Sequence, residues 1–202
     1  MGYSMGNEHI PFESMYENEM QTAKKKIIVE FRKLVIRKDF DRITVGEICE
    51  HAQVSRKTFY TYFKDKNDII EQIFLHSITQ PFREFRELYM THDLPASLIM
   101  EWFYQRIYED REFYANVSRF TGQNSFQELV LKHTTETLET ILKTVDMSEK
   151  DKEYTIYFYA VSHTMLLIKW IRDGMIVTPK KMGNYYEKWT IPNWKELTQS
   201  SW

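Results

Sequence analysis

Residues 43–70 read ITVGEICEHAQVSRKTFYTYFKDKNDII, and the order of caps, apolar positions and small residues in this stretch decides the fold. Val45, Ile48, Cys49 and Ala52 return at three- and four-residue steps, so they share one face of a short helix. Thr44 stands just before them and Glu47 three residues after it. That is the spacing of a capping box, which predicts a helix start at Thr44. Val54 and Ser55 follow, and Ser55 is placed to cap a second short helix from Arg56 to Phe63. Asp65 is placed to cap a third, with Ile69, Ile70, Ile73, Phe74 and Ile78 on its apolar side. Val45, Ile48, Ala52, Val54 and Phe59 supply a small core, and the small Ala52 lets two helices approach closely. A short capped helix, a tight turn and a second short helix with polar and aromatic groups at its N-terminal end fit a helix-turn-helix.

Working outward, the segment before it is also helical in pattern. Ala23, Ile27, Ile28, Phe31, Leu34 and Val35 form a stripe, predicting a helix from about Glu17 to near Lys38. Residues 1–16 are aperiodic and read as an arm. Downstream, Pro81 is expected to kink or end the long helix, and Pro95 suits a helix start. Helical pattern then runs over 95–121, 125–144 and 149–173, the last closed by Gly174. Thr178-Pro179 reads as cap plus first residue of a final helix, which Pro192 should stop. With 6 Gly, 5 Pro and 15% aromatics in 202 residues, the expected class is all-α.

The net charge is −2, but it is unevenly placed. Residues 18–72 carry 12 Lys or Arg against 9 Asp or Glu, a local basic excess suited to a polyanion. Cys49 is the single cysteine, which excludes an intrachain disulfide and a cysteine-rich zinc site. It lies on the apolar face of its helix and reads as an inert buried thiol. No apolar run approaches the ~20 residues that span a bilayer, and the start lacks a signal-peptide pattern. No membrane association is expected, and the expected location is the cytoplasm. A glycine-rich phosphate loop, H-E-x-x-H and G-x-S-x-G are all missing from the sequence, so no catalytic residue, cofactor or enzyme activity is expected. His163 has no second ligand at helical spacing, so no metal site is expected either.

The ordered pattern I-T-V-x-E-I, A-x-V-S and T-F-Y-x-Y-F-x-x-K resembles the DNA-binding domain of the TetR family over roughly residues 19–72. The resemblance implies a DNA-binding domain at 17–65 and a helical dimerisation and effector domain at 66–202. It also implies roles residue by residue. Thr44, Thr58 and Lys66 match phosphate contacts, and Arg56 and Lys57 match base-reading positions. Tyr60 and Thr61 match groove and backbone contacts, and Ser55 joins them at the start of the recognition helix. Lys57 stands where many members carry Gly, adding a positive charge. The stretch LLIKWIRDG (166–174), followed by Thr178-Pro179, is similar to a subgroup that includes regulators of dihydroxyacetone kinase operons. The implied partners are a double-stranded DNA operator, a second copy of the chain and a small-molecule effector. The implied function is a dimeric, ligand-responsive repressor. The alternative is a regulator of the same fold, an activator among the options, controlled by a protein partner.

The second domain is rich in aromatics. Trp102, Phe103, Tyr108, Tyr114, Tyr157 and His163 are candidates for an effector pocket, since such pockets are mostly apolar with a few polar groups. The competing expectation for each is ordinary helix packing.

Overall fold

A computed structural model of the chain describes residues 23–84 and 95–199, with residues 190–199 as backbone alone. The described residues form helices and no strand, as expected of an all-α chain. None of these helices is long and apolar enough to cross a membrane.

Helix α1 (Ala23–Arg37) buries Ile27, Ile28, Phe31, Leu34 and Val35, the stripe read from the sequence. The expected start at Glu17 and the arm at 1–16 lie outside the described residues. A 3-10 turn, Phe40–Arg42, leads to α2 (Val45–Ala52) and α3 (Arg56–Tyr62). Gln53, in the left-handed region at φ 54°, makes the turn between them. Helix α4 (Lys66–Phe74) follows at once, capped by Asp65, whose side chain accepts from the N–H groups of Asn67 and Asp68.

Pro81 does not end this helix. Its backbone continues through a π turn, Leu75–Thr79, into helical residues 80–84. A proline ring crowds the carbonyl four residues back, here Ser77, and supplies no N–H. The wider π turn, in which the Gln80 N–H bonds the Leu75 carbonyl, accommodates it.

The expected single helix over 95–121 is two: α5 (Ala96–Glu109) and α6 (Arg111–Val117). Asp110 breaks it at φ −115°, ψ 33°, with its carboxylate held by Arg32 of α1. Pro95 sits at the cap position just outside α5 rather than within its first turn. Ser125 caps α7 (Phe126–Leu142), and Ser148 caps α8 (Glu149–Arg172). Gly174, at φ 81°, closes α8 with Met175, whose N–H reaches back to the Trp170 carbonyl at 2.9 Å.

Thr178 caps α9 (Pro179–Gln199), accepting from the Lys181 N–H at 3.3 Å. The helix runs through Pro192, contrary to the expected stop. The carbonyl that loses its partner there belongs to Lys188, an exposed residue, so water can serve it.

One continuous apolar cluster runs from Ile27 of α1 to Met182 of α9. A smaller one, Leu138 with Tyr159 and Ala160, joins α7 to α8. Helix α9 crosses α5 with backbones touching at Gly183, where a Cβ would lie 2.5 Å from the Ser97 carbonyl oxygen.

Candidate nucleic-acid interface

Local chemistry fixes the two short helices. The Thr44 hydroxyl accepts from the Glu47 N–H at 3.2 Å, and Ser55 Oγ accepts from the Thr58 N–H at 3.0 Å. Only half of the expected capping box forms. The Glu47 carboxylate turns to Lys38, at 2.9 and 3.1 Å, and this hydrogen-bonded ammonium lowers its pKa. The pair ties α2 to the end of α1.

Phe59 and Phe63 are buried one turn apart and anchor α3 to the core. At 100° per residue, that anchoring turns Lys57, Tyr60 and Thr61 away from the core; Arg56 falls on the anchored side at the first position of the helix, and all four are exposed. Tyr60 is 58% exposed, packed edge-on against Phe59 with centroids 5.4 Å apart. Thr58 shares a 2.8 Å hydroxyl bond with Ser55, and the Thr61 hydroxyl donates to the Lys57 carbonyl at 3.1 Å. The Arg56 guanidinium lies back over Gly46, where a Cβ would come within 3.0 Å of Nη2. Thus Thr44, Ser55, Arg56, Lys57, Thr58, Tyr60 and Thr61 gather at one end of the molecule with polar or aromatic groups at the surface.

Lys66 does not join them by its side chain. Its ammonium turns inward and donates to the carbonyls of Phe40 (2.8 Å), Asp41 (3.2 Å) and Ile43 (2.9 Å). An ammonium has three donors, and all three are spent. Burial lowers its pKa, with Asp41 and Asp65 opposing that shift. The ammonium expected to meet phosphate is a clamp between α4 and the 3-10 turn. Cys49 is buried and its thiol pKa is raised by that burial, which fits the inert reading.

A cavity of about 100 Å³ lies among α4, its π turn, α5, α7, α8 and α9. Of the six residues expected at a pocket, Phe103 and His163 line it. Tyr114 is buried elsewhere, packed on Phe74 and Phe126. Trp102 and Tyr108 are half-buried on α5, Tyr108 near Trp170. Tyr157 is 67% exposed on the outer side of α8, because Tyr159, two residues on and 200° round the helix, takes the inner side. The cavity also takes residues not singled out from the sequence: Thr79, His133, Thr137 and Tyr186. The signal for His133 was present, since it falls between Val130 and Thr137 at helical spacing on the apolar stripe of α7. Burial lowers the pKa of His133 and drives that of His163 down to about 4.

Residues 27–73 match the family described as bacterial regulatory proteins, tetR family, and residues 96–189 match a transcriptional regulator C-terminal region. No curated protein matches the chain. Among solved structures, the dihydroxyacetone kinase operon activator DhaS is similar at 18% identity and TM-score 0.59, over 88% of this chain and 98% of that one. A TetR-family transcriptional regulator of Syntrophomonas wolfei is similar at 17% identity and TM-score 0.61, over 88% and 95%. The TetR-family repressor AlkX of a Dietzia species is similar at 13% identity and TM-score 0.56, over 90% and 100%. With its helix-turn-helix and its C-terminal helices each matched, the chain belongs to the TetR family and is a DNA-binding transcriptional regulator rather than an enzyme.

Proposed function

We propose that this regulator is a dimeric, ligand-responsive repressor that reads an operator with two copies of α3. The observation that carries it is the outward pair Lys57 and Tyr60 on a helix pinned from behind by Phe59 and Phe63, with the exposed Arg56 at its first position. Those three side chains would discriminate bases in the major groove, and Thr44, Ser55, Thr58 and Thr61 would meet the phosphate backbone. In this reading residues 17–65 are the DNA-binding domain and residues 66–202 the dimerisation and effector domain.

One short recognition helix touches few base pairs, so two are needed for selective binding. Support for pairing comes from α8, where Tyr154, Tyr157, Phe158 and Met165 are large, apolar and exposed, with Trp189 of α9 beside them. An exposed apolar surface of this kind is characteristic of an interface. An effector bound in the larger domain would favour a different separation of the two α3 helices, and so a weaker fit to successive major grooves.

Sedimentation of the intact protein, alone and with Phe158→Asp, tests the reading together with operator footprinting. Expected are a dimer, a footprint over two half-sites, and loss of both in the variant while its helical content is kept. A monomer that footprints a single half-site at full affinity would contradict it. The second reading, control by a protein partner, is favoured by the small cavity volume, about 100 Å³. It would prevail if small molecules never shift operator affinity and a partner protein does.

A further inference from the structure

Helix α2 carries a glycine that the helix itself does not need. Gly46 stands at its second position. Among the described residues the glycines with positive φ are Gly122 and Gly174, so no turn calls for Gly46. Nor does a neighbouring backbone, as at Gly183, where the atoms nearest an added Cβ are main-chain atoms. At Gly46 the nearest atoms all belong to side chains: Arg56 Nη2 at 3.0 Å, Thr44 Oγ1 at 3.8 Å and Arg56 Cζ at 3.9 Å. Glycine weakens a helix relative to alanine, so what accounts for it is the room it leaves for Arg56.

Arg56 needs that room because of where it starts. It precedes Phe59 by three residues and Phe63 by seven, so it leaves α3 on the anchored side, not on the side of Lys57 and Tyr60. Its long side chain stays exposed by running across the first turn of α2, and position 46 lies in its path. The guanidinium rests at the seam between α2 and α3, near the Thr44 hydroxyl. Burial raises the pKa of the Cys49 thiol and the Arg56 charge opposes that rise, which also places the guanidinium along α2. No carboxylate among the described residues pairs with it, so its donors are open to DNA.

We propose that Gly46 is a specificity-determining residue of the operator contact. Its missing side chain is a notch that holds Arg56 toward α2, and this sets the guanidinium on a guanine beside the base pairs met by Lys57 and Tyr60. The first residues of a recognition helix meet base edges, and the paired N–H groups of a guanidinium match O6 and N7 of guanine. The proposal rests on the operator-reading role of α3 given above and adds to it a positioning residue and a base.

The notch is tested first without DNA, by the 15N heteronuclear NOE of the Arg56 Nε–H in the intact protein. Arg56→Lys assigns the resonance. An ordered Nε–H is expected in the parent and a mobile one in Gly46→Ala; equal mobility in both overturns the notch. Gly46→Ala should melt no lower than the parent, because only the tip of a flexible side chain has to yield. A clear fall in melting temperature would make Gly46 a packing residue and overturn its positioning role. Binding is then measured on the selected operator and on its single-base variants. Gly46→Ala and Arg56→Ala should each lower the preference for guanine at one and the same position by roughly tenfold, and the double variant should lose no more than either. Additive losses, losses at different positions, or unchanged preference in Gly46→Ala overturn the proposal. Equal weakening on every sequence with a shallower salt slope would make Arg56 a phosphate contact and overturn the guanine assignment. A parent protein without any sequence preference would overturn the operator-reading role itself, and the guanine contact with it, while the NOE still decides the notch.

Discussion

The ammonium of Lys66 lies 4.4 Å from the centroid of the Phe40 ring and donates a hydrogen bond to that residue's own carbonyl at 2.8 Å. With its bonds to the Asp41 and Ile43 carbonyls, it fastens the start of α4 to the turn that precedes α2. Lys66→Met should therefore lower stability by about 2 kcal/mol, since buried carbonyls lose charged donors. The salt dependence of DNA binding should keep its slope, because no phosphate contact is removed. Urea unfolding and salt-titrated binding check both halves. An unchanged urea midpoint with a shallower salt slope would show that the ammonium meets phosphate after all.

Asn116 of α6 secures the other end of the same region. Its side-chain amide donates to the Val35 carbonyl at 2.6 Å, and its oxygen accepts from the Phe40 N–H at 3.3 Å. The amide also donates to the Lys38 carbonyl at 3.3 Å, and Asn116→Leu keeps the volume and removes all three bonds. It should cost about 2 kcal/mol in urea unfolding. It should also weaken operator binding, because α1 and the turn before α2 lose their support. Full stability in this variant would mean that the contact between α1 and α6 rests on its apolar groups and on Arg32, which holds Asp110 and lies over the Phe113 ring.

Gly183→Ala tests the closest helix crossing. The added Cβ would meet backbone atoms of Ser97 and Glu101, at 2.5 and 2.9 Å, which cannot swing aside as a side chain can. Helices α5 and α9 must move apart, at about 1–3 kcal/mol. Thermal melting of the variant should show the loss, and an unchanged midpoint would contradict the crossing.

His163 predicts a pH dependence. Its pKa falls from an ordinary 6.5 to about 4 because burial penalises the charged ring. Between those values the unfolded chain binds the proton and the folded protein does not. Stability therefore rises with pH through this window and is complete above it, a difference of about 3 kcal/mol. His163→Phe should flatten the profile between pH 4 and 6.5. His133, also lowered by burial, keeps a slope of the same sign in both proteins, so the comparison isolates His163. Parallel profiles would contradict a buried neutral imidazole.

What the sequence made legible is local. Thr44, Ser55, Asp65 and Thr178 act as caps because a cap bonds an N–H two or three residues away, within the window that a pattern covers. What it concealed depends on distant partners. Asp110 breaks a helix where Arg32, 78 positions earlier, holds its carboxylate. Lys66 turned inward because two carbonyls of the 3-10 turn and that of Ile43 just after it converge on its ammonium, a geometry no spacing reveals. Tyr157 and Tyr159 cannot be assigned to opposite sides of α8 from hydropathy, since both sides of that helix are aromatic and one is left uncovered. The cavity draws its polar groups from four separate segments, α7, α8, α9 and the π turn, so no one segment carries its signature.

The measurement that tests the central claim most directly is selection from fragmented genomic DNA by the purified protein, followed by binding across a salt series beside a Lys57→Ala, Tyr60→Ala double variant. The account predicts enrichment of one twofold-related sequence, bound with a steep salt slope. The double variant should lose discrimination between that sequence and random DNA while keeping its fold. Uniform weak binding to every fragment, or unaltered discrimination by the variant, would contradict the assignment of α3 as the element that reads the operator.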